Sequence, residues 1–433
     1  MFGFFIFAQM EEKKLKILTV VGARPQIIKA AAISRAIKSS FFGKISEKIL
    51  HTGQHYDANM SEVFFSELGI PAPDFNLNVG SGTHGSQTAL MISGIEKVLI
   101  AEKPDLLILF GDTNSTLAGA VAASKLHVPV AHIEAGLRSF NKAMPEEINR
   151  IMCDHASTWL FVPTIAGLTN LKREGFDDSR IAEKKVNIDN PGVYHTGDVM
   201  YDNSLFFSDV ADEKAPLSGI LRKVFEEGYK KLSAADRAGE WHLKKGEYIL
   251  ATIHRDNNTD NAERLNSIFR ALSDIAEGVT VVVPLHPRTE KMLEKILEPM
   301  LYERVVRLRD RIDSGDFLSG ALSDNPGILL LPPASFFEMI SLEKGARMVI
   351  TDSGGVQKEA FFFNKPCLIL RRETEWVEIV ECGAARLVDA DYDSIIDGYS
   401  DFLNKRVIYP EIFGDGRAAE KILGIICGTD FSK

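Results

Sequence analysis

The chain has 433 residues, too many for one ordinary hydrophobic core, so two domains of roughly 200 residues each are expected. With 45% hydrophobic and 25% charged residues, its composition is that of a globular protein. The net charge of −10 argues against a general nucleic-acid binder, and an anionic ligand must be attracted by local groups against the overall field.

The chain opens with MFGFFIFAQMEEKK. Its apolar run is only about eight residues, with no basic residue before it and no small-residue cleavage site after it, so it does not read as a signal peptide. It is also too short to span a bilayer, and no other segment approaches that length. Residues 1–15 are therefore expected as an N-terminal extension, with Met10 an alternative start. Short apolar runs then alternate with helical patterns: KILTVVG (16–22), ILHTG (49–53), LLILFGD (106–112), VPVAHIEAG (128–136) and WLFVPT (159–164). A second set follows: YILATIH (248–254), VTVVVPLHP (279–287), GILLLPP (327–333), RMVITDSGG (347–355) and PCLILR (366–371). Non-alternating Val/Ile/Leu strands followed by helices predict parallel sheets covered on both faces. Two such sets predict an α/β protein of two doubly wound, Rossmann-like domains facing a cleft.

The stretch NIDNPGVYHTGD (187–198), rich in Asn, Asp, Gly and Pro, is expected to mark the boundary. It gives an N-terminal α/β domain over 16–195 and a C-terminal α/β domain over 196–411. The charged segment from Asp209 to Lys245 reads as helical, and the final helix, within 412–433, is expected to return to the first domain. Cys153, Cys367, Cys382 and Cys427 are scattered without a C-x-x-C pair, which fits a reduced cytoplasmic protein with neither disulfides nor structural zinc.

Nearly every polar cluster falls where a strand is predicted to end. They are Gly22-Ala-Arg-Pro, Gly53-Gln-His, Gly111-Asp-Thr-Asn, His132-Ile-Glu-Ala-Gly, Thr252-Ile-His-Arg, Leu285-His-Pro-Arg and Thr351-Asp-Ser-Gly-Gly. Any one of them is ordinary turn chemistry. Seven together, at the rim where open sheets bind ligands, read as an enzyme site. The TDSGG stretch joins a strand to a helix beginning VQKEA; Ser353, Gly354 and Gly355 would leave backbone amides bare for an anion, whereas the simpler reading is a plain helix cap. Gly80-Ser-Gly-Thr-His-Gly85 matches the dinucleotide fingerprint but follows the weak, polar PDFNLN rather than the first strong strand, so it reads as a loop.

Together GARPQIIK, TGQHYDANM, GDTNSTLAGAVAASKLHVPVAHIEAGLRSF, MPEEINR, TIHR, PLHPRT and TDSGGVQKEA resemble the non-hydrolysing UDP-N-acetylglucosamine 2-epimerase family over about 16–430, in order. The resemblance implies the GT-B arrangement of two domains, and reversible inversion at C2 of a UDP-linked 2-acetamido sugar. It assigns catalysis to Asp112, Glu134, Glu146 and His254. It assigns substrate binding to Arg24, Lys29, Arg150, His286, Met339, Ser353, Gly354, Gly355, Glu359 and Arg371, with Glu359 accepting the ribose hydroxyls. It also implies a homodimer.

The chemistry agrees with these residue types. No carbonyl flanks C2 of such a sugar, so its proton is not acidic, and no convincing nicotinamide site exists to oxidise a neighbour. Elimination remains: UDP leaves C1 as a base removes the C2 proton, and protonation from the other face precedes return of UDP. That route needs carboxylates about one carbon and cations or donors on the diphosphate. It needs neither cofactor nor metal. The common family pattern has glutamate where this chain has Gln26, and Arg-Pro where it has Trp376-Val. Both changes suggest the branch acting on UDP-2,3-diacetamido-2,3-dideoxyglucuronate and an altered charge at the sugar end, so the substrate stays open between the two. A GT-B glycosyltransferase would share the nucleotide site without needing three acids in the first domain. A catalytically dead UDP-sugar sensor would be expected to lack at least one of Asp112, Glu134, Glu146 and His254.

Overall fold

A computed structural model of the chain describes residues 14–53, 65, 68–176, 185–224, 243–285, 287–314 and 326–428. Almost all of the expected N-terminal extension, the middle of the charged segment 209–245, and His286 lie outside the described residues. The fold divides into two units, Met1–Asn203 with Ile412–Lys433, and Ser204–Glu411.

The first unit is built on β1 (Leu15–Val21), β2 (Ile45–His51), β3 (Phe75–Asn76), β4 (Leu106–Phe110), β5 (Val130–Ile133), β6 (Trp159–Val162) and β7 (Gly192–His195). They lie in the order β3-β2-β1-β4-β5-β6-β7, and every neighbouring pair is parallel. The central strands are buried on both faces, as the unbroken LLILF of β4 requires. Residues 192–195, inside the stretch expected as a linker, instead form the edge strand β7.

The second unit holds β8 (Tyr248–Thr252), β9 (Thr280–Pro284), β10 (Ile328–Leu331), β11 (Met348–Thr351), β12 (Cys367–Ile369) and β13 (Ala385–Leu387). Their order is β10-β9-β8-β11-β12-β13, again all parallel. Both units are therefore Rossmann-like, and each reverses its strand order once, between β1 and β4 and between β8 and β11. In open α/β sheets the crevice outside the carboxyl ends of such a pair is where ligands bind.

At the first reversal the chains come very close. A Cβ on Gly22 would sit 2.0 Å from Ser115 Oγ and 2.3 Å from Thr52 Oγ1, so only glycine fits there. The same unit is completed from the far end of the chain. The helix Ala418–Cys427 buries Ala418, Ala419, Ile422, Leu423 and Ile426 and packs on the helix Arg24–Ser40. The Asp202 carboxylate accepts its first N–H groups, from Ala418 at 3.0 Å and Ala419 at 2.8 Å. A cap of this kind is worth about 1 kcal/mol.

Candidate active site

In the first unit the polar ends of β4 and β5 meet two cations. Asp112 follows Gly111, whose φ of +60° turns the chain sharply out of β4. Its carboxylate pairs with Arg150 Nη2 at 2.5 Å, and Arg150 Nη1 also donates to Glu147 Oε2 at 3.0 Å. Glu134, just beyond β5, pairs with Lys29 Nζ at 2.7 Å. Its φ of +73° is unfavourable for a residue with a Cβ and is held by Glu134 N–H donating to Phe161 O at 3.1 Å. Burial pushes the Asp112 carboxyl above the ordinary aspartate range, and the neighbouring charge of Glu134 adds to this, while Arg150 and Lys29 pull the other way. Of the predicted residues, Asp112, Glu134, Lys29 and Arg150 thus form one cluster of two acids and two bases.

Arg24 and Glu146 lie on the helices that carry Lys29 and Arg150. Each is exposed near the start of its helix, Arg24–Ser40 and Pro145–Ala156 respectively. The neighbouring Glu147 is buried instead. It accepts from the Ser139 and Phe140 backbone N–H groups at 2.9 Å each, as well as from Arg150. The spacing of Glu147 and Arg150, three residues apart on a helix, was a readable sign of this pair.

Gln26 does not face a sugar, contrary to the expectation. It is 2% exposed. Its Oε1 accepts from Gly22 N–H at 2.9 Å and Ala23 N–H at 3.2 Å. Its Nε2 donates to Phe110 O at 3.0 Å and Thr116 Oγ1 at 2.9 Å, pinning β1 to β4 at the reversal point. A glutamate here could donate to Phe110 O only while protonated. Gln26→Glu is therefore expected to cost about 1–3 kcal/mol once the new carboxyl ionises. Such a raised carboxyl adds stability below its unfolded pKa and loses it as pH rises through its folded value. The variant's melting temperature should fall relative to wild type between about pH 5 and pH 8; an equal gap at both pH values would contradict the role assigned to the amide.

In the second unit the ends of β8 and β11 converge. His254 is half-exposed, with Nδ1 3.2 Å from Asp352 Oδ1. Asp352 is fully buried, and it also accepts from the Arg255 N–H at 3.1 Å and Asn258 Nδ2 at 3.0 Å. Asp352 was not singled out in the sequence, although it lies within TDSGG. The helix Gly354–Phe362 begins at Ser353, whose hydroxyl accepts from Val356 N–H at 3.5 Å. The plain cap is therefore present, but it does not explain the glycines. A Cβ on Gly354 would come no closer than 3.9 Å to Arg371, Glu375 and Trp376, and one on Gly355 no closer than 3.9 Å to Glu359 and Ser353. Packing within the unit does not require either glycine, and without side chains the helix start lets an anion approach its backbone N–H groups closely.

Arg371 is buried in a two-pronged pair with Glu375, both contacts at 3.1 Å. Trp376 is buried too, its ring 4.0 Å from Lys358 Nζ, so it does not alter the charge of an open surface as expected. Met339 is half-buried on the helix Phe336–Gly345. From that helix Glu343, 1% exposed, reaches Glu359. Burial, then the charge and hydrogen bond of Glu359, hold the Glu343 carboxyl well above the usual range, so the two carboxyls share a hydrogen bond. Its Oε2 has no hydrogen-bond partner among the described residues. Because its folded pKa is raised, Glu343 contributes stability in acid that is lost as pH rises through that value. Glu343→Gln keeps a donor toward Glu359 and should be more stable than wild type near pH 8, the advantage shrinking toward about pH 4. Denaturation midpoints across that range check it, and a pH-independent difference would count against a raised Glu343 pKa.

Among the described residues no helix is long and apolar enough to cross a membrane. A family model described as UDP-N-acetylglucosamine 2-epimerase matches residues 40–427. The chain is 45% identical over 410 residues, 94% of its length and 98% of the relative's, to the UDP-2,3-diacetamido-2,3-dideoxy-D-glucuronate 2-epimerase of Pseudomonas aeruginosa. It superposes with a TM-score of 0.73 on the crystal structure of Methanocaldococcus jannaschii UDP-GlcNAc 2-epimerase in complex with UDP-GlcNAc and UDP, at 37% identity, covering 95% of this chain and 99% of that one. The Neisseria meningitidis UDP-GlcNAc 2-epimerase bound to UDP-GlcNAc gives a TM-score of 0.72 at 26% identity, covering 96% and 100%.

Proposed function

The chain belongs to the UDP-N-acetylglucosamine 2-epimerase family, and from that premise we propose that it interconverts UDP-N-acetylglucosamine and its manno epimer by elimination and re-addition of UDP. The carrying observation is the cluster at the ends of β4 and β5, where Asp112 and Glu134 are each held by a cation, Arg150 and Lys29. Two positioned acids can remove a proton from C2 and return one. Asp112, whose carboxyl burial pushes above the ordinary aspartate range, is the better proton carrier of the two. Glu146 and His254 complete the catalytic set. The second unit holds the uridine diphosphate, with phosphate at the start of the helix Gly354–Phe362 and ribose at Glu359; Arg24, Met339 and Arg371 serve binding. The enzyme works in the cytoplasm as a homodimer, without cofactor or metal, and feeds surface polysaccharide synthesis.

A second reading is that the substrate is UDP-2,3-diacetamido-2,3-dideoxyglucuronate, favoured by the 45% identity to the Pseudomonas aeruginosa enzyme. One experiment separates the readings and tests the mechanism: each UDP-sugar is offered alone in deuterium oxide and the products followed by NMR. Epimerisation without an acceptor, with deuterium at C2, is expected. Retention of the original C2 proton in both epimers sinks the elimination route, and turnover of only one sugar names the substrate.

A further inference from the structure

Directly behind the acids of the first unit lies a fully buried pair, His132 on β5 and Asp154 on the helix Pro145–Ala156. His132 Nε2 is 2.8 Å from the carbonyl oxygen of Gly111, which can only accept, so this nitrogen carries a proton. His132 Nδ1 is 2.7 Å from Asp154 Oδ1. The other oxygen, Asp154 Oδ2, accepts from Gly136 N–H at 3.1 Å and from Arg138 Nη2 at 2.8 Å. Arg138 is in turn paired with Glu174 at 2.6 Å.

The connections matter because of what each anchor point carries. Gly111 immediately precedes Asp112. Gly136 lies two residues after Glu134 and has a φ of +80°. Asp154 shares its helix with Arg150, the partner of Asp112. One imidazole and one carboxylate therefore tie together three segments: the end of β4, the turn after β5 and the helix that supplies Arg150. Burial works against a charged imidazole here, but the Asp154 carboxylate 2.7 Å away outweighs it and raises the His132 pKa well above its ordinary value. Burying such a pair costs desolvation and is not needed for a stable core, since apolar packing can replace it. A polar clasp is justified where geometry has to be fixed.

We propose that His132 and Asp154 are positioning residues that hold the backbone just before Asp112 and on both sides of Glu134 in one geometry, and that turnover depends on this clasp. The inference rests on the proposed roles of Asp112 and Glu134. A displacement of about 1 Å at reacting groups can cost on the order of 10²-fold in rate.

The test uses the full chain and changes hydrogen bonding with little change of volume. His132→Gln keeps an N–H for Gly111 O but turns an amide oxygen toward the Asp154 carboxylate, two acceptors facing each other. Combined with Asp154→Asn, the new amide donates to that oxygen while its own oxygen still accepts from Gly136 N–H. Turnover per folded molecule, counted by calorimetric UDP titration, is compared for wild type, both variants and Asp112→Asn. His132→Gln should lower kcat roughly 10–100-fold with KM changed less than about threefold, and the double variant should recover most of the loss. A merely structural pair would lower the melting temperature and leave kcat per folded molecule unchanged. That result, with Asp112→Asn inactive, overturns the clasp alone. Full activity of Asp112→Asn overturns the reading of the acids, and the clasp falls with it. Should His132→Gln not fold, Asp154→Ala takes its place: near-normal kcat in Asp154→Ala refutes the proposal, whereas a loss there, with the double variant near wild type, supports it.

Discussion

Asp112→Asn is expected to reduce kcat roughly 10²–10⁴-fold, the usual worth of positioned acid–base catalysis. The amide keeps the size of the side chain and can still accept from Arg150, so the cluster loses its proton exchange and little else. KM should change much less than kcat, because the uridine diphosphate is assigned to the second unit. Stability gives an independent check. Burial raises the Asp112 carboxyl pKa, so its ionised form is disfavoured in the folded protein at neutral pH relative to the unfolded chain. Its contribution is present in acid and is lost as pH rises through the raised value. The neutral amide escapes that loss, so the variant should be inactive yet at least as stable as wild type near pH 7. Turnover within threefold of wild type would show that Asp112 only anchors Arg150.

Glu359→Ala is expected to weaken UDP binding roughly 10–150-fold, the equivalent of losing a charged hydrogen-bond acceptor worth about 1.5–3 kcal/mol. Glu359 lies one turn into the helix Gly354–Phe362, its carboxylate 3.9 Å from where a Cβ on Gly355 would sit. Behind it, the buried Glu343 carboxyl shares a hydrogen bond with it. Calorimetry with UDP reads the change directly. The same titration with UMP and with uridine should show a loss of similar size, because the proposed contact is to ribose. Unchanged UDP affinity would make the glutamate a structural partner of Glu343 and nothing more.

The sequence was most legible where burial is most complete. All ten apolar runs correspond to strands, because an unbroken Val/Ile/Leu run has few other uses in an alternating α/β pattern. The missed strands, β3, β7 and β13, are short edge elements of two to four residues and only partly buried, so they lack that signature. Strand ends located the candidate site for the same reason, since they place polar residues at a rim. What a strand end does not reveal is direction. Gln26 and Trp376 stand beside candidate binding residues in the chain, yet both point into the protein. Glu146 and Glu147 are adjacent, and only their helical phase decides which is buried. His132, Asp154, Asp352 and Glu343 act through other residues, across separations in the chain that no local motif records.

The helix Ala418–Cys427 has a consequence in time. It seals the first unit, yet about two hundred residues of the second unit, Ser204–Glu411, are inserted before it. At roughly 5–20 residues per second, a ribosome needs about 10–40 s to make that insert. Throughout this interval the face of the helix Arg24–Ser40 that Ile422, Leu423 and Ile426 will cover stays open, and Asp202 lacks the N–H groups it caps. The second unit, continuous in the chain, has no such wait. Synthesis therefore completes the nucleotide-type unit first and leaves the acid-bearing unit as the client a chaperone would meet. A circular permutant beginning at Ile412 would deliver the sealing helix first and abolish the delay.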